Sequence, residues 1–156
     1  MTAPTIVVAY DSSPAARAAL SLAVDRARGG KLFIVHAYGA PKDFWGAQHY
    51  QEVLDRALQR GEDLLDAVAT IEPRLTEIEF ETELIPGDPA EVVAKVAEVR
   101  GADEIILGTR GFGPLRAIMG SVAHGLLHLA PCPVTVIPER AVADAGRSGE
   151  SPSTAG

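Results

Sequence analysis

Residues 108–121, Gly-Thr-Arg-Gly-Phe-Gly-Pro-Leu-Arg-Ala-Ile-Met-Gly-Ser, bring together glycines, two arginines and a terminal serine. They stand between the apolar run Ile105-Ile106-Leu107 and a helical pattern that begins at Val122. Glycines let a backbone come close to a ligand, and the free N–H groups at a helix start, with the positive end of its dipole, attract an anion. Ser121 has two possible uses, as the cap of that helix or as a hydroxyl donor to a phosphate oxygen. Arg110 and Arg116 add positive charge, so the chemistry on offer is that of a phosphate cradle. The same residues also suit a tight turn followed by an ordinary cap. The spacing is neither Gly-x-Gly-x-x-Gly nor a Walker loop ending in Gly-Lys-Ser/Thr, which leaves a dinucleotide fingerprint and a P-loop unsupported.

Other chemistry-bearing residues are weaker signals. Asp11 follows the β-branched run 5–10, Thr-Ile-Val-Val-Ala-Tyr, at the strand end where open parallel sheets take their ligands. It serves equally as a helix cap. His124 and His128 lie one helical turn apart, without a third metal ligand at a telling spacing, so a zinc site is not expected. Cys132 has apolar neighbours and reads as a packing residue. Glu77, Glu79, Glu81 and Glu83 alternate with Thr76, Ile78, Phe80, Thr82 and Leu84, as in a half-exposed edge strand guarded by charge.

The elements that would position these residues follow from periodicity and punctuation. Buried strands are expected at 5–10, 31–38 and 104–107, the half-exposed one at 76–84, and a short fifth strand at 134–137 between Pro133 and Pro138. Helices are expected at 15–28, capped by Ser13 with Pro14 at the first position, at 47–71, and at 90–99 behind Asp88-Pro89. A last helix runs over 122–129. Five strands alternating with helices call for one parallel sheet covered on both faces. Asp11, Ala37 and the glycine loop then converge on one edge, where a phosphate would meet Gly111, Gly120 and Ser121.

Composition sets the outer limits. A chain of 156 residues with 47% hydrophobic and 22% charged residues suits a single globular domain. A net charge of −7 argues against a general nucleic-acid or anionic-membrane partner, so any anion site must be local. One cysteine excludes an internal disulfide. Without an apolar stretch of spanning length or a signal pattern, a cytoplasmic protein is expected. From residue 139 the small, polar composition predicts a disordered tail, so the folded domain is placed at 1–138 and the tail at 139–156.

In this order the chain resembles the universal stress protein family over residues 5–138. The resemblance is carried by Ile-Val-Val-Ala-Tyr-Asp-Ser-Ser at 6–13, Ile-Val-His-Ala at 34–37, Gly-Asp-Pro-Ala-Glu at 87–91 and Gly-Ala-Asp-Glu-Ile-Ile-Leu-Gly-Thr-Arg-Gly at 101–111. Gly-Ser-Val-Ala-His at 120–124 and Pro-Cys-Pro-Val-Thr-Val-Ile-Pro at 131–138 complete it. The resemblance implies a Rossmann-like α/β fold with strand order 3-2-1-4-5 and a homodimer joined through the strand at 133–138. It also implies a regulatory adenine-nucleotide binder of the stress response, holding ATP with or without Mg²⁺. Carried over by position, Ala9 and Asp11 would line the adenosine and the Ala37 backbone would read the adenine edge. Gly108, Arg110 and Gly111 would line the ribose and phosphates, and Gly120, Ser121 and Val122 would hold the phosphates.

Two positions depart from the family pattern. Eight residues separate Gly111 from Gly120 where the usual ATP-binding pattern has nine, and Ser12 stands where a glycine is common. Members that bind no nucleotide exist, so a dimeric adaptor is the alternative reading. A slow ATPase is the third. The sequence supplies neither a Walker lysine nor an acid/base pair for the γ-phosphate, so any hydrolysis would be slow.

Overall fold

A computed structural model describes residues 2–39, 46, 49–109 and 120–138. Five parallel strands, β1 (Thr5–Ala9), β2 (Lys31–Tyr38), β3 (Glu79–Pro86), β4 (Glu104–Thr109) and β5 (Val134–Pro138), form one sheet in the order β3-β2-β1-β4-β5. The apolar interiors of β1, β2 and β4 suit burial on both faces, and side-chain alternation divides them between two cores. Ile6, Val8 and Tyr10 of the first chain segment join Leu32, Ile34 and Ile106 on one face. Val7, Phe33, Val35, Ile105 and Leu107 point to the other.

Helix α1 (Pro14–Arg26) covers the first face with α2 (Tyr50–Asp66) and the single turn α3 (Val68–Ile71). Helices α4 (Pro89–Arg100) and α5 (Ser121–Leu129) cover the second. The chain winds one way from β1 to β3, then crosses back so that β4 lands on the opposite side of β1. That reversal leaves a crevice at the carboxyl ends of β1 and β4. No charged side chain is fully buried among the described residues, so the core holds by apolar packing alone.

Local chemistry explains the helix ends. Ser13 Oγ accepts from the Ala16 N–H at 3.2 Å, with Pro14 at the first position. Asp88 Oδ1 accepts from Ala90 and Glu91 at 3.1 and 3.3 Å, with Pro89 behind it. Gly101 stops α4 in the left-handed region at φ +61°, which a glycine enters without a Cβ clash.

Three expectations need correction. The helix expected over 47–71 is shorter and interrupted: α2 ends at Asp66, and the break at Ala67 turns Val68 into the core at 2% exposure. Residues 47–48 lie outside the described residues. The strand expected over 76–84 begins three residues later, because a 3₁₀ turn, Pro73–Glu77, takes up Thr76 and Glu77. Thr76 Oγ1 donates to the Pro73 carbonyl, and the Glu72 carboxylate grips Arg74, so the turn is closed by its own side chains. The glutamates of β3 do more than face water: Lys31 pairs with Glu79 and Glu81, and Arg100 with Glu83 at 2.9 Å. β3 is an edge strand as expected, and β5 is the other edge.

Candidate functional site

The register sets the level of the strand ends. Ala9 pairs with Val35 on one side and Leu107 on the other, so Asp11, Ala37 and Gly108 all emerge at the same edge of the sheet. Ala9 itself is half-buried against the α4/α5 core. Ala37 lies within β2 opposite Ile85. Along β2 the Lys31 N–H donates to the Pro4 carbonyl of the β1 side, and by alternation the Ala37 N–H and C=O lie on that same side, beyond the point where β1 has ended.

Asp11 is exposed, and its Oδ1 accepts from the Ser13 N–H at 3.0 Å. The carboxylate thus ties the turn ahead of the Ser13 cap rather than capping the helix directly. Ser12 has φ +64°, the left-handed region in which a side chain is strained. The glycine that the family commonly carries here is therefore explained by geometry.

Two helix N-termini meet the end of β4. Gly108 packs directly beneath α1: a Cβ placed on it would lie 2.3 Å from the Ala15 carbonyl carbon and 2.5 Å from the Ala16 nitrogen. On the other side, the Gly120 N–H donates to Thr109 Oγ1 at 3.2 Å, which docks the start of α5 against the last residue of β4. Gly120, not Ser121, is the cap residue of α5; Ser121 is the first helical residue and is exposed. Either residue type is a good cap, and the bond from the residue 120 N–H to Thr109 is what sets the helix start at this position. No side-chain cap bond is present at this helix start among the described residues, and a helix start leaves its first N–H groups without partners inside the helix. Val122 follows, half-buried in the α4/α5 core. Arg110, Gly111 and Arg116, together with the loop around Trp45 and the segment 139–156, lie outside the described residues.

Sequence reasoning passed over Tyr10, His36 and Thr109. Tyr10 is 2% exposed, with its phenol oxygen enclosed and unpartnered. Burial pushes that phenol above its ordinary pKa, and the nearby Arg17 guanidinium opposes the shift without closing a hydrogen bond of ordinary geometry. His36 Nδ1 lies 2.7 Å from the Tyr10 carbonyl. A histidine within the apolar run Ile-Val-His-Ala was the available signal. Among the described residues no cluster of three His, Cys, Asp or Glu could hold a metal. The rings of His124 and His128 meet edge-on at 5.2 Å. Burial, then Asp103 and Glu104, push the Cys132 thiol up, as suits a packing residue.

A sheet that reverses direction at β1, with two helix starts against the end of β4, defines a doubly wound α/β domain of Rossmann-like architecture. The sequence profile of the universal stress protein family matches residues 3–138, and the chain belongs to that family. It is 37% identical over 138 residues to a universal stress protein of Thermus aquaticus, covering 85% of this chain and 97% of that one. Among solved structures it is similar to the universal stress protein UspA of Lactobacillus plantarum, with a TM-score of 0.71, 24% identity, and 88% and 99% of the two chains covered. It is also similar to a universal stress protein of Archaeoglobus fulgidus solved in complex with dAMP, with a TM-score of 0.65, 25% identity and coverage of 88% and 99%. No helix among the described residues is long and apolar enough to cross a membrane.

Proposed function

We propose that this chain is a regulatory adenine-nucleotide-binding protein whose ligand is ATP, with or without Mg²⁺, acting as a cytoplasmic homodimer with little or no catalysis. In this reading Ala9 and Asp11 line the adenosine and the Ala37 backbone reads the base edge. Gly108, Arg110 and Gly111 border the ribose and phosphates, and Gly120, Ser121 and Val122 hold the phosphates. The Gly120 N–H fixes the helix start on Thr109, while the Ser121 and Val122 N–H groups and the Ser121 hydroxyl face the anion. The single observation that carries it is the docking of the α5 start on β4 through Gly120 and Thr109 at 3.2 Å, level with Asp11 and Ala37. First-turn N–H groups without partners inside the helix and the positive dipole end favour an anion at that spot. The dAMP complex of the Archaeoglobus relative supports the same ligand class. Self-association would run through β5, an uncharged edge reading Val-Thr-Val-Ile-Pro.

The test is to denature protein purified without added nucleotide, identify any released small molecule, and titrate the emptied protein with ATP and AMP by calorimetry. Micromolar binding that disappears in Gly120→Ala/Ser121→Ala is the expected result. No released nucleotide and no heat up to millimolar ligand would sink the reading and favour a dimeric adaptor, for which the eight-residue spacing between Gly111 and Gly120 is the specific argument.

A further inference from the structure

The turn from β1 into α1 carries Asp11 and is pinned residue by residue. The Tyr10 N–H donates to the Val35 carbonyl at 2.9 Å, the last backbone bond of the β1–β2 ladder. The next acceptor, the Tyr10 carbonyl, is met not by backbone but by the His36 ring, with Nδ1 at 2.7 Å. A carbonyl can only accept, so Nδ1 must carry the proton and the neutral ring is the Nδ1–H tautomer. The ring is half-buried on the α1/α2 face of β2, where Gly61 of α2 stands close beside it. Gly61 has no side chain, so the ring keeps its place: a Cβ there would come within 3.1 Å of His36 Cδ2.

A side chain thus replaces the backbone as donor to the Tyr10 carbonyl. The ladder no longer needs the Ala37 N–H at that carbonyl, and the backbone of Ala37 is left facing the end of β1. We infer that His36 is a positioning residue: its Nδ1–H, bonded to the Tyr10 carbonyl, sets the backbone that carries Asp11 and frees the Ala37 N–H and C=O for a ligand's base edge. This deepens the adenine-nucleotide reading and rests on it. His36 touches no ligand in this scheme; it acts through Tyr10.

Two variants separate the bond from the bulk. In His36→Asn the amide nitrogen can occupy the place of Nδ1, whereas His36→Phe fills the space without a donor. Three readouts are taken on each: AMP and ATP affinity by calorimetry, thermal midpoint, and the amide NMR shifts of Asp11 and Ser13 without nucleotide. The wild-type ring tautomer is read from its ¹⁵N shifts. The expected result is an Nδ1–H ring, about tenfold weaker AMP binding in His36→Phe with displaced Asp11 and Ser13 amides, and affinity within about threefold of wild type in His36→Asn. A ring protonated only at Nε2, or a folded His36→Phe that binds AMP like wild type, would overturn the inference. If wild type takes no nucleotide, the parent reading falls. An Nδ1–H ring with displaced amides in His36→Phe would then mark His36 as part of the fold only, which also overturns its positioning role.

Discussion

Gly108→Ala tests whether the glycine at the end of β4 serves packing before it serves any ligand. A methyl there would lie 2.3 Å from the Ala15 carbonyl carbon, where ordinary contact begins at 3.4 Å, so about 1.1 Å of separation is missing. The atoms in the way are backbone, Ala15 C and O and Ala16 N, in the first turn of α1. They cannot rotate aside, so α1 must slide off β4 or β4 must bow. Overpacking of a filled core costs about 1–3 kcal/mol, and a clash with fixed backbone belongs at the upper end, near 3. For a domain of this size that corresponds to a fall in thermal midpoint of about 6–12 °C. Gly101→Ala is the matched control: Gly101 has φ +61° with nothing within 4 Å of a Cβ, so its cost is backbone strain alone, about 1 kcal/mol. Urea denaturation of the nucleotide-free proteins measures both. A Gly108→Ala loss no larger than that of Gly101→Ala would refute the close-packing argument and return Gly108 to a purely ligand-facing role.

Two further substitutions follow from the turns on either side. Ser12→Gly removes a strained φ of +64°; about 1–2 kcal/mol of left-handed strain less about 0.4–1 of added chain entropy predicts a gain near 0.8 kcal/mol, while Ser12→Ala gains nothing. Equal urea midpoints for the glycine and alanine variants would count against the strain. The Glu72 carboxyl is held below its ordinary pKa, first by hydrogen bonds from Arg74, whose Nε stands 2.8 Å away. A carboxyl depressed on folding stabilises fully above its unfolded pKa, about 4.3, and that contribution fades as pH falls through the lower folded value. Wild type should therefore lose more stability than Glu72→Gln between about pH 5 and pH 3, and parallel pH profiles would discard the pairing as a source of stability.

What could be read in the sequence and what could not divide along the range of the interactions involved. Ser13-Pro14 and Asp88-Pro89 announce their helices because a cap acts over three residues, and the structure finds both bonds. The β-branched runs at 5–10, 31–38 and 104–107 announce strands for the same local reason. The start of β3 did not follow from its alternation, since alternation runs unbroken through Thr76 and Glu77 and only pairing with Lys31 fixes Glu79 as the first partner. The turn that displaces it is anchored far away: Arg74 reaches back to Asp25 at 2.9 Å and to Ser21 Oγ at 2.7 Å on α1.

The site shows the same division. Placing Asp11, Ala37 and Gly120 on one edge needed only topology, which the alternation of elements dictates. Choosing Gly120 over Ser121 as the cap needed Thr109, which precedes it by eleven residues, and seeing a role for His36 needed Tyr10, twenty-six residues away. Both bonds join the end of one strand to a neighbouring element. A pattern of residue types cannot encode such a bond, because it depends on where β1 stops and β2 continues. Composition therefore marks the edge where a ligand would bind, while the groups that shape that edge emerge only once the strands are in register.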